Sequence, residues 1–125
     1  MRRFNVLAFD DVIMGTGAVY SPTGLNELFG SCDQMSLHVV ADQASGATTL
    51  TVNIEHSADQ RNWIQKNPTG SEVSVGLTAG TTISTSGSDA GTAPLLGFVR
   101  FKLALSAAGS NAHVKLWVTG RDQGA

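Results

Sequence analysis

The segment TTLTVNIEHSADQRNW, residues 48–63, constrains the fold of this chain more than any other part of the sequence. Its first half alternates strictly: Leu50, Val52 and Ile54 are apolar, and the residues between them carry hydroxyl, amide or carboxyl groups. Alternation with a period of two predicts a strand that is buried on one face only. In its second half, residues 57–62, Ser, Asp and Asn side chains favour an Asx-type turn. A half-buried strand closed by such a turn is typical of an antiparallel β-sandwich.

Strict alternation recurs in three further segments, residues 35–41, 97–106 and 112–119. The first is predicted to form a hairpin with residues 48–56, and the last two are predicted to form a second hairpin. No long segment has the 3.6-residue apolar period of a helix. Roughly seven short strands separated by turn signals predict an all-β, single-domain antiparallel β-sandwich or jelly roll. The predicted core includes Val52, Ile54, Phe101, Leu103 and Leu116.

The N-terminal part of the chain does not share this pattern. Gly15 and Gly17 weaken any strand there, and regular alternation begins only at Met35. We therefore divide the chain into an N-terminal arm or edge element, residues 1–34, and a β-sandwich domain, residues 35–125. We expect the sandwich to remain folded after removal of the N-terminal element, but to assemble poorly.

Composition excludes several classes of protein. Charged residues make up 14% of the 125 residues, and the net charge is −2 with scattered basic residues, which argues against direct nucleic-acid binding. The apolar run at residues 4–9 is too short for a secretory signal, and no segment approaches the ~20 apolar residues of a membrane span. We therefore expect a protein that is made in the cytoplasm and contacts no membrane. The lone Cys32 is expected to be a small buried residue. Residues 84–94, rich in Gly, Ser and Thr, predict a surface loop.

Candidate metal ligands are scattered along the sequence. Three histidines are each predicted to face outward from a strand or to lie at its end: His38, His56 and His113. A zinc site would need three or four converging ligands. A calcium site at Asp10, Asp11 and Asp33 lacks the spaced Asp/Asn loop that such a site would use, and Asp59 is explained as a turn residue. We predict no metal ion and no cofactor.

The sequence carries no catalytic motif. Glu55 and Glu72 are the only glutamates of the strand-rich part, and no pattern places them across a cleft, as a glycosidase requires. Neither a GxSxG elbow nor a phosphate-binding loop is present. The sequence therefore predicts a protein that is not an enzyme and has no catalytic residue.

Aromatic side chains supply the candidate contact sites. Trp117 alternates with Leu116 and Val118, so it faces away from the predicted core. There it can pack against another subunit or form a stacking platform for a sugar ring. Trp63, which follows the polar turn, is predicted to plug the core. The predicted interface or ligand contacts are Trp117, Phe98, Phe9 and Tyr20.

Several of these segments occur in a familiar order. EHSADQRNW follows an alternating strand, and GFVRFKLALS and AHVKLWVTGR follow the Gly-, Ser- and Thr-rich middle. A strand ending in E-x-S-x-D-x-x-x-W and a later aromatic-x-Arg pair are present as Glu55, Ser57, Asp59 and Trp63, then Phe98 and Arg100. Over roughly residues 35–121 this order resembles small virion proteins of tailed bacteriophages.

The resemblance implies a structural virion protein, a capsid decoration or minor capsid subunit. Its partners would be its own subunits and a major capsid protein, and it would be located in the virion. No catalytic residue is implied. The alternative is a carbohydrate-binding or host-adhesion β-sandwich module, in which the partner is a glycan.

Overall fold

A computed structural model of the chain describes residues 3–88 and 95–122, apart from the side chains of Asp33 and Asp122. Over these residues the chain is an antiparallel β-sandwich, as predicted. Its strands are β1 (Arg3–Met14), β2 (Val19–Tyr20), β3 (Cys32–Asp42), β4 (Thr48–Ser57), β5 (Ile64–Gln65), β6 (Val73–Leu77), β7 (Ile83–Ser88), β8 (Phe98–Leu105) and β9 (Asn111–Asp122). A 3-10 turn (Thr23–Leu25) and a short helix α1 (Asn26–Gly30) separate β2 from β3. The predicted loop at 84–94 begins inside β7, and its remainder lies outside the described residues.

Two sheets form the layers of the sandwich. Sheet A has the strand order β1-β9-β3-β7, and sheet B has the order β2-β8-β4-β5. β6 and β5 share one edge of β4: β6 pairs with residues 48–52, and β5 pairs with residues 55–56. At the junction, the Ile54 amide donates to the Glu72 carboxylate at 2.8 Å, and the Lys66 amide donates to the Ile54 carbonyl at 2.8 Å. These two bonds satisfy the β4 backbone where neither strand reaches it.

The core lies between the two inner faces. The predicted core residues Val52, Ile54, Phe101, Leu103 and Leu116 are each 0% exposed, which confirms the facing of their strands. The apolar residues of β9 and β3 meet them from sheet A. Within each strand the alternation therefore identified the buried side correctly, because successive side chains must point to opposite faces of a sheet.

Both predicted hairpins are wrong. β3 and β4 belong to different sheets, and so do β8 and β9. Each connection crosses from one layer to the other, and the two crossing loops lie side by side: the Ser45 amide donates to the Asn111 carbonyl at 3.0 Å, and the Asn111 amide donates to the Ser45 hydroxyl at 2.9 Å. Alternation fixes which face of a strand is buried but not its neighbour. Two consecutive strands show the same alternation whether they pair as a hairpin or lie in opposite sheets.

The N-terminal segment forms edge strands, one of the two alternatives predicted for it. β1 pairs with β9 from Arg3 to Met14, and β2 pairs with β8. Behind them, α1 places Phe29 in the core, with its ring centroid 4.9 Å from that of Phe101. The boundary drawn between residues 34 and 35 falls inside β3. Both predicted units therefore contribute strands to the same two sheets. No helix of the described chain is long and apolar enough to span a membrane.

Candidate functional site

Arg100 is the centre of a side-chain cluster on the outer face of sheet B. Its Nε donates to Glu55 Oε1 at 2.8 Å, from the opposite position on β4. Its guanidinium carbon lies 4.0 Å from the ring centroid of Tyr20 and 4.3 Å from that of Trp63. Both distances are within the range of cation–π contacts. We call Tyr20, Glu55, Trp63 and Arg100 the Arg100 cluster.

Tyr20 reaches the cluster because β2 is held tightly against β8. The Ser21 amide donates to the Phe101 carbonyl at 3.0 Å, and the Phe101 amide donates to the Ser21 hydroxyl at 3.0 Å. This reciprocal pair fixes the residue next to Tyr20, although β2 is only two residues long. The Tyr20 side chain remains 41% exposed.

The turn at residues 57–62 delivers Trp63 to the same place. Asp59 Oδ1 accepts from the Arg61 amide at 3.0 Å and the Asn62 amide at 2.9 Å, and Ser57 Oγ accepts from the Gln60 amide at 2.9 Å. The hydrogen bonds from the Asn62 and Arg61 backbone hold the pKa of Asp59 well below its usual range. This is the predicted Asx-type turn.

Trp63 is half-buried against Arg100, so the prediction that it plugs the core is wrong. The turn returns the chain along the outer side of sheet B, and the tryptophan therefore meets the polar face of β8.

The charge around the Arg100 cluster is unbalanced. Lys102 lies two residues from Arg100 on the same face of β8, opposite Tyr20 on one side and Asn53 on the other. Glu55 is only 8% exposed and pairs with Arg100, whereas no hydrogen bond or ion pair within the described residues engages the Lys102 ammonium. Asn53 Oδ1 is buried, with no hydrogen-bond donor among those residues. Arg100, Lys102 and Glu55 together therefore carry one more positive than negative charge.

The outer face of sheet A has a different character. Three apolar residues of β1 are exposed there: Leu7 by 37%, Val12 by 47% and Met14 by 74%. Trp117 of β9 is half-buried opposite Leu7, whereas Val12 and Met14 lie further along β1, opposite His113 and Asn111. We call these four residues the sheet A stripe. A shallow hollow of about 260 Å³ lies next to Trp117, lined also by Asn5, His38 and Thr119.

His113 joins three strands of sheet A on this face. Its Nε2 lies 2.7 Å from Asp10 Oδ1 of β1, and its Nδ1 lies 3.0 Å from Asp42 Oδ1 of β3. The hydrogen bond to Asp10, which is the larger cause, and the hydrogen bond to Asp42 raise the pKa of His113 above 6.5. Ionised carboxylates only accept hydrogen bonds, so both bonds form together when the imidazole is protonated on both nitrogens.

Most of the other candidate metal ligands lie within the described residues. Asp10 bonds to His113, Asp11 accepts from the Val12 amide at 2.7 Å, and the Asp33 side chain lies outside the described part. Among the described residues, no three His, Cys, Asp or Glu side chains are arranged to hold a metal ion. His56 lies near the end of β4 and does not face outward: it pairs with Val99 on the inner face, is 9% exposed, and accepts from the Leu96 amide at 3.2 Å.

The four predicted contact residues lie in three places. Phe9 and Tyr20 line one groove of about 330 Å³ between the edge strands β1 and β2. Trp117 lies on the outer face of sheet A, and Phe98 lies opposite Ser57 on the outer face of sheet B. Their roles remain predictions. Sequence reasoning did not bring Tyr20, Trp63 and Arg100 together; the available signal was the pair of opposite charges, Glu55 and Arg100, on the outward positions of two long strands.

No family model and no curated protein sequence matches the chain. Solved structures do resemble it. The C-terminal family 22 carbohydrate-binding module of Clostridium thermocellum Xyn10B matches with a TM-score of 0.60 at 8% identity, over 93% of this chain and 74% of the module. The CBM22-1 xylan-binding domain of Paenibacillus barcinonensis Xyn10C matches with a TM-score of 0.57 at 10% identity, over 88% of this chain and 66% of that domain.

A phage-related protein has a similar fold. The PBSX exported protein XepA matches with a TM-score of 0.55 at 15% identity over 98% of this chain, which spans only 38% of the XepA chain. At these identities the likeness shows the fold alone. The chain is an antiparallel β-sandwich, with structural neighbours among both carbohydrate-binding modules and a phage PBSX exported protein.

Proposed function

We propose that the chain is a structural virion protein of a bacteriophage, a capsid decoration or minor capsid subunit. It assembles with its own subunits and a major capsid protein through the sheet A stripe. The observation that supports this proposal is the apolar exposure along β1, where Leu7 lies opposite the half-buried Trp117 and Val12 and Met14 lie further along the same face, beyond the Asp10–Lys115 pair. Aromatic and large apolar side chains grouped on one surface are typical of protein interfaces.

The contact is made by the face of sheet A rather than by the edge of β1. A bulge between Leu7 and Phe9 interrupts the register with β9, and Asp10 and Asp11 follow it in the middle of the strand. Bulges and charges on an edge strand disfavour pairing with the strand of another chain. The apolar side chains of the stripe are free of this constraint because they project from the face.

The chemistry of the remaining face suits a repeated, multivalent contact. β7 adds the hydroxyls of Ser84, Ser86 and Ser88, on the same side as His38 and Trp117. Each such contact is modest, but symmetry repeats it and multivalency makes the sum strong. Because the stripe is apolar, assembly should persist in high salt, where exposed charge pairs are screened.

Met14→Asp tests this proposal, with Ile64→Asp as a matched control. Ile64 is 57% exposed on β5 of the other sheet. Wild-type protein and the control should sediment as an oligomer or bind capsids, and Met14→Asp should remain monomeric with an unchanged thermal melt. A wild-type protein that stays monomeric at all salt concentrations and binds neither capsids nor itself would contradict the proposal.

A second candidate is a carbohydrate-binding or host-adhesion module, and the Arg100 cluster favours it. The cluster combines an exposed aromatic ring with charged hydrogen-bonding groups on the outer face of a sandwich, and aromatic surfaces of this kind support ligand stacking. A glycan array tests it, with Tyr20→Ala expected to abolish binding and Trp117→Ala to leave it unchanged. Loss of binding with Trp117→Ala would move the glycan to sheet A.

In both candidates we propose a protein without catalysis, metal or cofactor. The Asp and His groups that resemble ligands are engaged in the Asp59 turn and the His113 bonds. Metal chelation should therefore leave the melting temperature unchanged, since a stabilising ligand acts by binding the folded state. A thermal melt with and without EDTA checks this, and a fall of several degrees would restore the calcium hypothesis.

A further inference from the structure

We propose that the outer face of sheet B binds an acidic saccharide, a pyranose that carries a carboxylate, through Tyr20, Arg100 and Lys102. This inference rests on the glycan-binding candidate and names the class of ligand for that site. It follows from the arrangement of two cations, one carboxylate and one exposed ring on neighbouring strands.

The polar groups are arranged in two adjacent cross-strand rows. Tyr20, Lys102 and Asn53 form one row, and Arg100 and Glu55 begin the next. Residues two apart on a strand are separated by roughly 7 Å, so the two cations are near enough to contact a single sugar residue. The rows cross β2, β8 and β4, whose mutual hydrogen bonds hold the groups on a rigid surface.

The charge of this face selects an anion. Glu55 engages only Nε of Arg100, and no hydrogen bond within the described residues uses its two Nη atoms or the Lys102 ammonium. The aromatic contacts hold the guanidinium in place, so that its outer donors keep a fixed geometry. Guanidinium and ammonium donors bind carboxylates through charge-assisted hydrogen bonds, which are stronger than those to neutral hydroxyls.

The exposed ring of Tyr20 distinguishes a saccharide from a simple anion. The ring is 41% exposed and adjoins Lys102 across the β2–β8 pair. It offers apolar surface for the C–H groups of a sugar ring while the cations bind the carboxylate. Asn53 Oδ1, opposite Lys102, is an additional acceptor for which a hydroxyl donor is suited after a small side-chain shift.

Titration calorimetry of the whole chain tests the proposal with acidic and neutral probes. Trigalacturonate and sialyllactose are the acidic probes, and they separate a uronic acid from a sialic acid; xylotriose and lactose are the neutral ones. At least one acidic probe should bind, and binding should weaken in high salt. Lys102→Met should weaken it at least about tenfold, as expected for a lost hydrogen bond between charged groups. Lys115→Met, an exposed lysine on the outer face of sheet A, is the matched control and should bind normally.

The outcomes separate this inference from the function beneath it. Neutral probes that bind as tightly as acidic ones, with no effect of Lys102→Met, would overturn the acidic specificity and leave the glycan-binding candidate standing. If inorganic phosphate binds and no saccharide does, the site takes a simple anion, and the inference that it binds a saccharide is overturned. If no probe binds, the acidic-saccharide inference is overturned, and the glycan array separately tests the candidate beneath it.

Discussion

The outer faces of the two sheets are built in opposite ways. The face of sheet B concentrates its polar chemistry at Arg100, which contacts two aromatic rings and a carboxylate. The face of sheet A spreads exposed apolar side chains along β1 and fastens its strands with His113. A concentrated cluster can orient a small ligand, whereas a broad apolar face gains energy from contact area.

The core separates these faces, so each can be altered without the other. The faces approach each other at one edge, where Leu7 and Tyr20 line the same groove, but substitutions far from that groove usually have additive effects. A substitution that changes assembly should therefore leave ligand binding intact, and the reverse should also hold.

Deleting residues 1–31 should have the largest effect, because it removes a part of both faces and of the core. The deletion takes away β1, which covers one side of β9, and Phe29, which is 0% exposed. The free energy lost with this buried surface should be a large part of the ~5–15 kcal/mol that stabilises a typical domain. We expect circular dichroism to show an unfolded chain. A folded, cooperatively melting product would restore the arm interpretation.

Replacing Arg100 should disturb sheet B alone. Arg100→Met leaves Glu55, 8% exposed, without its ion pair and removes both ring contacts, so we expect a loss of about 1–3 kcal/mol in the free energy of unfolding. Urea unfolding measures this loss, and adding Glu55→Gln should recover part of it, because a neutral amide is cheaper to bury. Lys102→Met on the same strand is the control and should change stability by less than about 0.5 kcal/mol. If Arg100→Met costs no more free energy of unfolding than Lys102→Met, the cluster adds no stability. If Arg100→Met alters assembly, the two faces are not independent.

The smallest effect is expected on sheet A, as a pH dependence. The folded-state pKa of His113 is raised above 6.5 by Asp10 and Asp42, so its contribution to stability is present below 6.5 and is lost as the pH rises through the folded pKa. Lys115 and Asp11 are the neighbouring charges of the same strands. Urea unfolding across this range should show a fall with rising pH in the wild type that is smaller in His113→Gln. Identical pH profiles would show that the His113 bonds contribute nothing.

Strand facing was predictable where it depends on backbone geometry alone. Val52 and Phe101 are buried because alternation is intrinsic to a strand. The pairing of strands was not predictable, since an apolar face fits a hairpin and a crossing connection equally well. The full length of β1 was not predictable, because its bulge shifts the alternation between Leu7 and Phe9, and two aspartates follow.

The Arg100 cluster was hidden for a similar reason. Tyr20 meets Arg100 only because a two-residue strand pairs with β8 far along the sequence, and no local pattern encodes that pairing. The Asp59 turn was predictable, because Ser57, Asp59 and Asn62 satisfy their own backbone within a few residues. What the turn does with Trp63 depends on the sheet beneath it.

Backbone amide spectra recorded at increasing protein concentration, and then with trigalacturonate or sialyllactose, test the two faces most directly. Assembly should shift or broaden the signals of Leu7, Val12, Met14 and Trp117 and leave Arg100 and Lys102 unchanged. The acidic saccharide should shift Tyr20, Arg100 and Lys102 and leave the sheet A stripe unchanged. Concentration-dependent changes confined to sheet B, or spectra that respond to neither treatment, would contradict the assignment of assembly to sheet A.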